Sequence, residues 1–235
     1  MRETLYLLPG LLCDATIWAP QIAALGDTYD IRVPDLTGYS SLSDMAEAVL
    51  ATAPEQISVA GHSMGARVAL ELVRLAAARV GRLALLDTGI HPRRPGELEK
   101  RQALLDVSAR DGMTALAERW LPPMVHPANF SAGGDLRTAL FEMVERMSPE
   151  IHQAQITALL DRADAEPLLA TIACPVLVGV GDNDVWSPPA QHRAIAEAIR
   201  HATYVVFPHS GHMAPLEAPE AVTRALTDWM AVPTG

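Results

Sequence analysis

A serine between two glycines constrains this chain more than any other feature of its sequence. Residues 61–65 read GHSMG, after a short β-prone run at 56–60 and before an alanine-rich helical pattern at 66–78. A serine held at the tip of a strand needs so tight a turn that the residues two before and two after it have no room for side chains. The pattern predicts a strand, a sharp turn and a helix, with Ser63 as an exposed nucleophile. A serine that only caps the helix is the alternative interpretation.

Length and composition set the broad class. The 235 residues are 49% hydrophobic, which is enough to bury a substantial core and predicts one domain. The 18 basic and 28 acidic side chains give a formal net charge of -10, which argues against a nucleic-acid partner or an anionic membrane surface. Cys13 and Cys174 lack metal-ligand spacing, and we expect both to be reduced. No signal core or membrane-length apolar window is found, so we expect a cytoplasmic protein.

Strand and helix signals alternate on both sides of Ser63. Strands are predicted at 4–8, 29–33, 56–60, 82–86, 175–180 and 203–207, and helices at 16–25, 42–53, 66–78, 190–199 and 221–230. This alternation predicts an α/β fold with a mostly parallel, doubly wound sheet of about six strands. In such a sheet ligands bind at the carboxyl ends of the strands.

One long stretch, residues 91–167, interrupts the alternation. It has no strand signal, and charged amphipathic helices are predicted over 97–109, 114–120, 135–147 and 149–163. A stretch of this length with its own helices is too structured for a loop. We therefore predict a helical lid at 91–167, inserted within a single domain of residues 1–235.

Candidates for a base and an acid follow two of the later strands. Ester chemistry by a serine needs a base within hydrogen-bond reach and a carboxylate that orients the base. Asp184 follows the strand at 175–180, and His212 follows the strand at 203–207. Because the carboxyl ends of parallel strands meet at one edge, we expect both side chains to lie near Ser63.

These motifs together resemble the α/β-hydrolase superfamily, over residues 5–229. The likeness rests on LPGLL at 8–12, PDLTGYS at 34–40, GHSMG at 61–65, GDND at 181–184 and SGHMAPLE at 210–217. It is close to the branch that contains small esterases, enol-lactonases and carbon-carbon bond hydrolases. The resemblance implies an α/β-hydrolase fold.

The resemblance also implies a role for each matching position. Ser63 is the nucleophile, His212 is the base and later the acid, and Asp184 fixes the imidazole ring. The backbone N–H groups of Leu11 and Met64 donate to the oxyanion. No cofactor is implied.

Other acids and histidines offer alternatives for these roles. Asp182 is interpreted as a turn former and Asp87 as an acceptor for loop N–H groups, although each stands where an acid is needed. His62 is interpreted as a packed histidine rather than the base. The H-x-x-H spacing of His209 and His212 lacks a third ligand, so we expect no metal. The remaining histidines are expected at the surface: His91, His126, His152, His192 and His201.

A substrate pocket is expected beside the serine. Trp120, Trp186 and Met213 are the candidates for its apolar lining, and simple core packing is the alternative for such residues. The turn that contains Arg93 and Arg94 either attracts an anionic substrate or forms a solvated basic turn. Arg67 lies just inside the helix after the serine, and we expect it to make a structural salt bridge or a capping contact.

The sequence thus predicts a serine hydrolase for a small or medium carboxylic ester or lactone, acting through an acyl-enzyme on Ser63. Carbon-carbon bond hydrolysis, or a related lyase reaction, is the alternative on the same three side chains. A ligand-sensing protein with slow turnover is a third interpretation. The expected partner is a small-molecule substrate, and the sequence leaves the oligomeric state open.

Overall fold

A single parallel sheet of six strands organises the computed structural model, which describes residues 2–234. The strands are β1 (Thr4–Leu8), β2 (Asp30–Arg32), β3 (Ile57–His62), β4 (Val80–Leu86), β5 (Val176–Gly181) and β6 (Thr203–Phe207). Their spatial order is β2-β1-β3-β4-β5-β6, and each neighbouring pair is parallel. The predicted sheet of about six strands is confirmed.

Helices flank this sheet and connect its strands. They are α1 (Ala19–Leu25), α2 (Leu42–Thr52), α3 (Met64–Ala76), α4 (Glu97–Trp120), α5 (Pro127–Ala132), α6 (Gly134–Glu145), α7 (Pro149–Leu160), α8 (Glu166–Leu169), α9 (Pro189–Ala198), α10 (Ala214–Glu217) and α11 (Pro219–Met230). Helix α1 packs against α11, and α2 packs against α3. Strands β1, β3 and β5 are buried along their whole length, as expected for a parallel sheet covered on both faces.

The segment between β4 and β5 is helical, as the sequence predicted. Two predicted helices, at 97–109 and 114–120, form the single element α4, which is broken at Gly112 by a φ of 86° and a ψ of 178°. The short helices α5, α8 and α10 were not predicted, because four to six residues are too few for a hydrophobic period to show. None of the helices within residues 2–234 is both long and apolar enough to cross a bilayer.

Two histidines expected at the surface lie in the interior instead. His152 is 1% exposed and His192 is fully buried. Each has a buried hydrogen-bond partner, since His152 Nδ1 lies 2.9 Å from Ser108 Oγ and His192 Nε2 accepts from the backbone N–H of Thr88 at 2.8 Å. Such partners offset the cost of burying a polar ring, and the sequence around each histidine does not reveal them.

Candidate active site

The turn between β3 and α3 presents Ser63. Its φ of 54° and ψ of -113° lie outside the regions that L-residues ordinarily adopt, and such strain costs about 1–3 kcal/mol. The end of β4 and the loop after it hold the turn in place. Ser63 N donates to the carbonyl of Leu86 at 2.9 Å, and Thr88 Oγ1 donates to the carbonyl of Ser63 at 3.0 Å. The serine is partly exposed, and its position is fixed by β4.

The two glycines of the turn are required by close backbone contacts. A Cβ atom on Gly61 would lie 2.4 Å from the backbone N of Ala66, and one on Gly65 would lie 2.2 Å from the carbonyl O of Leu8. Neither backbone neighbour can move aside. The predicted need for glycine at both positions is confirmed. The same contact shows that the loop after β1 packs directly against the serine turn.

The structure brings Ser63, His212 and Asp184 into one hydrogen-bonded chain. Ser63 Oγ lies 2.8 Å from His212 Nε2, and His212 Nδ1 lies 2.8 Å from Asp184 Oδ2. The other oxygen of Asp184 accepts the backbone N–H groups of Trp186 and Ser187, each at 2.9 Å. Ser187 Oγ donates to Asp184 Oδ2 at 2.8 Å. The carboxylate is therefore held by its own loop while it contacts the ring.

The negative charge of Asp184 fixes the tautomer of His212. Burial alone would raise the pKa of Asp184, but the charge and hydrogen bond of His212 and the bonds from Ser187 lower it to about 2. Asp184 is thus an anion at neutral pH and accepts the Nδ1–H of the ring. The lone pair of Nε2 then faces Ser63 Oγ, which is the arrangement that a general base needs.

The backbone of His212 is held from two sides. Its N–H donates to the carbonyl of Met124 at 2.7 Å, and its carbonyl accepts from His62 Nε2 at 2.6 Å. Burial lowers the pKa of His62 to about 3, so this ring is neutral and donates through Nε2–H. His62 hydrogen-bonds the backbone of His212 and not Ser63 Oγ. The sequence analysis missed this bond, which joins residues 150 positions apart.

The alternative acids lie elsewhere in the hydrogen-bond network. Asp182 accepts the backbone N–H groups of His209 and Ser210, at 3.0 and 3.1 Å, and so holds the loop after β6. Asp87 Oδ1 accepts the N–H of Gly181 at 2.9 Å. Burial, together with the nearby charge of Asp184, raises the pKa of Asp87 well above its usual range. Neither carboxyl group makes a hydrogen bond to the His212 ring.

Two backbone N–H groups near Ser63 have no acceptor. The N–H of Leu11 and that of Met64, the first residue of α3, make no hydrogen bond to any residue in the described chain. The next amide after Leu11, that of Leu12, donates to Gln155 Oε1 at 2.8 Å. Leu11 and Met64 line the same cavity as Ser63, so their unpaired N–H groups are the candidate donors to an oxyanion.

A cavity of about 360 Å³ lies over Ser63. Trp120, buried on α4, and Trp186, which is 47% exposed, both line it. Met213 does not line it, contrary to expectation, because its side chain is 1% exposed and belongs to the hydrophobic core. Side chains of α4 and α7 complete the apolar wall: Leu104, Ile156 and Leu159.

Basic side chains also line this cavity, and the sequence analysis largely missed them. Arg94 is among them, whereas Arg93 is not. Of the two contacts expected for Arg67, a salt bridge or a capping contact, the salt bridge is absent within residues 2–234; its Nη2 donates to the backbone carbonyl of His91 at 2.7 Å. Helical spacing was the available signal, because Arg67 follows Ser63 by four positions and so lies one turn further along α3. The other basic residues come from the inserted segment: Lys100, Arg101 and Arg162.

No group of three or more His, Cys, Asp or Glu side chains in the described part of the chain is arranged to hold a metal ion.

The fold and the serine turn define the class of this protein. A parallel sheet with a hydrogen-bonded serine on a strand-to-helix turn is the arrangement of α/β hydrolases. The model of the alpha/beta hydrolase family matches residues 5–225, and the chain belongs to that family. The resemblance noted in the sequence is confirmed.

Individual relatives are similar along almost the whole chain. A thermophilic esterase from Thermogutta terrifontis, solved with malate bound, is 30% identical with a TM-score of 0.89, covering 97% of this chain and 89% of its own. A pimeloyl-[acyl-carrier protein] methyl ester esterase of Pectobacterium carotovorum is 29% identical over 94% of this chain and 91% of its own length. A Caulobacter protein, provisionally named as a carbamate hydrolase, is 27% identical over 98% of this chain and 91% of its own.

Proposed function

We propose that this protein is a serine hydrolase that cleaves a small or medium carboxylic ester or lactone through an acyl-enzyme on Ser63. The observation that carries the proposal is the contact of 2.8 Å between Ser63 Oγ and His212 Nε2, beside a cavity and backed by Asp184. The two esterases among the relatives support ester chemistry over other reactions of this family.

The first half of the reaction forms the acyl-enzyme. Ser63 Oγ attacks the ester carbonyl carbon while its proton passes to His212 Nε2. The N–H groups of Leu11 and Met64 bind the oxyanion of the tetrahedral intermediate. His212 then gives its proton to the leaving alkoxide oxygen, the carbon–oxygen bond breaks, and the acyl group remains on Ser63. In a lactone the alcohol stays attached to the acyl chain.

The second half restores the enzyme. Water replaces the alcohol and attacks the acyl carbon, while its proton passes to His212. The bond to Ser63 Oγ breaks, Oγ recovers a proton from His212, and the carboxylic acid leaves. Asp184 stays ionised throughout, because its pKa of about 2 lies far below neutral pH, and it stabilises the imidazolium that forms twice.

The inserted segment is proposed to act as a lid within a single domain. Its helices α4 and α7 supply part of the wall of the cavity that Ser63 also lines. Two hydrogen bonds join the segment to the site loops, from Leu12 N to Gln155 Oε1 and from His212 N to the carbonyl of Met124. A cover tied to both loops limits the access of water and of large substrates.

A carbamate is the second candidate substrate class, and the name of the Caulobacter relative is the observation that favours it. A carbamate presents an acyl carbon to the same serine, so the three side chains have the same roles. Carbon-carbon bond hydrolysis of a diketone stays a prediction from sequence.

The test is hydrolysis of p-nitrophenyl esters from acetate to long acyl chains, with Ser63→Ala beside the wild type. We expect an optimum in chain length, set by the cavity, and a loss in kcat of roughly 10⁴- to 10⁶-fold in a variant with an unchanged circular dichroism spectrum. Turnover retained by the variant would disprove the role of Ser63. If no ester is cleaved but a fluorophosphonate still labels Ser63, the ester class is wrong, and lactones, carbamates and diketones are compared next.

A further inference from the structure

The cavity over Ser63 is basic, although the chain as a whole has a formal net charge of -10. Five positively charged side chains line it, and only two carboxyl groups do. The basic residues are Arg67, Arg94, Lys100, Arg101 and Arg162, and the acids are Asp87 and Glu97. Cationic side chains gathered in a cleft of an acidic protein raise the local concentration of anions.

The two acids offset only part of this charge. Glu97 is already engaged by Arg101 at 2.8 Å and by Arg162 at 2.7 Å. Asp87 is fully buried, burial raises its pKa well above the usual range, and its hydrogen bond goes to the backbone N–H of Gly181 and not to a cationic side chain. Arg67, Arg94 and Lys100 therefore line the cavity without an ion pair in the part of the chain that the structure describes.

Arg67 is the most unusual of these three. Its side chain is only 6% exposed, and Nη1 is buried with no hydrogen-bond partner among residues 2–234. Burial and the charge of Arg162 lower its pKa to about 9, which still leaves the guanidinium protonated at neutral pH. A buried donor without an acceptor is costly, and a guanidinium matches the two oxygens of a carboxylate.

We propose that Arg67 binds a free carboxylate of the substrate, so that the preferred substrates are esters or lactones that carry a second, unesterified carboxylate. This rests on the proposed function, since Arg67 lies one helical turn from Ser63 and shares its cavity. Arg94 and Lys100 are exposed, and they attract the anion toward the cavity. A purely structural Arg67 would only hold the carbonyl of His91, and the two roles predict different kinetics.

The kinetic test compares esters that differ by one charge. Monomethyl adipate carries the charge in the acyl part and O-butyrylglycolate carries it in the alcohol part; dimethyl adipate and methyl O-butyrylglycolate are their neutral counterparts. We expect kcat/KM for one of the two charged esters to exceed that of its counterpart by at least about 10-fold in low salt. The preference should shrink as NaCl is raised, because Arg94 and Lys100 are exposed to screening.

The decisive variant is Arg67→Gln, read as the ratio of kcat/KM for the charged and neutral esters. We expect that ratio to fall about 10- to 100-fold, whereas Arg74→Gln should leave it unchanged. Arg74 is the matched control because it lies on the same helix, pairs with Glu71 at 3.2 Å and does not line the cavity. An unchanged ratio in Arg67→Gln overturns the proposal.

A binding measurement separates this proposal from the proposed function. In Ser63→Ala, which cannot turn over, calorimetry with the better charged ester and its neutral counterpart should show at least about 10-fold tighter binding of the charged one, lost on adding Arg67→Gln. If the wild type cleaves neither ester but this difference is found, the subsite stands and the ester assignment fails. If both esters are cleaved and bound alike, only the subsite fails.

A second variant covers the case in which Arg67→Gln does not fold. Arg67→Lys keeps the charge and can still reach the carbonyl of His91, but it lacks the two parallel donors. It should keep part of the charge preference and lose the rest. Full retention of the preference in Arg67→Lys would show that charge in the cavity, and not the guanidinium, selects the substrate, which overturns the role given to Arg67.

Discussion

Two serine–histidine contacts shorter than 3 Å occur among residues 2–234, and their surroundings differ. Ser63 Oγ lies 2.8 Å from His212 Nε2 in the cavity, and Ser108 Oγ lies 2.9 Å from His152 Nδ1 in the inserted helices. Distance alone does not tell a nucleophile from a structural hydroxyl. The surroundings of each pair do.

The pair in the inserted helices has no hydroxyl proton to give. Ser108 lies inside α4 and donates its hydroxyl to the carbonyl of Leu105 at 3.0 Å, so the Nδ1–H of His152 donates to Ser108 Oγ. Both side chains are 1% exposed, and neither lines the cavity. Burial lowers the pKa of His152 to about 4, which leaves the ring neutral, and no carboxylate contacts it among residues 2–234.

The pair of Ser63 and His212 has a free hydroxyl proton, a cavity beside it and a carboxylate behind the ring. Ser63 lies in the turn between β3 and α3 and lines a cavity. Its hydroxyl has no acceptor besides His212 in the described chain. Asp184 fixes the far side of the His212 ring. Reactivity thus comes from an available proton, an oriented ring and space for a substrate, and each of these can be removed separately.

The largest effect is expected from deleting the histidine of each pair. His212→Ala removes the proton acceptor for Ser63, and kcat on the best p-nitrophenyl ester should fall roughly 10⁴- to 10⁶-fold in a protein that remains folded. His152→Ala is the matched control. It should lower the urea midpoint, because it opens a small cavity and leaves Ser108 without its donor, while kcat stays close to that of the wild type. Equal losses of activity in the two variants would contradict the comparison.

The next effect tests the carboxylate that only one pair has. Asp184→Asn should lower kcat by about 10⁴-fold, because an amide in its place favours the wrong tautomer of His212. Asp182→Asn is the control, since Asp182 binds two loop N–H groups and does not touch the ring. Single-turnover kinetics at neutral pH measure both. A larger loss in Asp182→Asn than in Asp184→Asn would show that Asp184 is not the acid that orients His212.

The sequence predicted those parts of the molecule that depend on local pattern. The buried strands, the glycines around Ser63 and the order of Asp184 and His212 after their strands each follow from residues close in the chain. Parallel strands bring their carboxyl ends together, so the gathering of these side chains also follows. The roles of the three side chains remain proposals.

Features that depend on distant pairing were not predictable. The burial of His152 depends on Ser108, 44 positions away, and the bond of His62 depends on the carbonyl of His212, 150 positions away. The basic lining of the cavity comes from α3 and from the inserted segment, whose packing no local pattern encodes. The prediction that Met213 lines the pocket was wrong, because its position beside His212 does not reveal which way its side chain packs.

A smaller effect is expected from the ion pairs of the inserted segment. Burial alone would raise the pKa of Glu97, but hydrogen bonds from Arg162 and Arg101 lower it to about 2. Because its folded pKa is below the unfolded one, the stabilisation is complete above pH 4.5 and is lost as the pH falls through about 2. It amounts to at most about 3 kcal/mol.

Glu97→Gln should therefore unfold at lower urea than the wild type at pH 7, and the gap should narrow steadily between pH 4.5 and pH 2. Glu99→Gln, in the same turn of α4 and exposed, is the control and should change little at either pH. A gap that stays constant over this range would mean that packing, and not charge, accounts for the loss.

The smallest effect is expected from Ser108→Ala, which tests the structural pair from its serine side. The change leaves the Nδ1–H of His152 without an acceptor in the interior, and the free energy of unfolding should fall by about 1 kcal/mol, since the better helix propensity of alanine offsets part of the loss. Urea unfolding measures it, with Ser131→Ala, exposed on α5, as the control.

Activity decides what this last variant means. Because the Ser108 hydroxyl is donated within its own helix, kcat on p-nitrophenyl esters should match the wild type at temperatures where Ser108→Ala is fully folded. Loss of turnover in a folded Ser108→Ala would show that the inserted helices contribute more than a wall to the reaction. An unchanged rate with a lowered stability would leave the two pairs fully separated, one acting on substrate through Ser63 and the other holding α4 against α7, which carry Ser108 and His152.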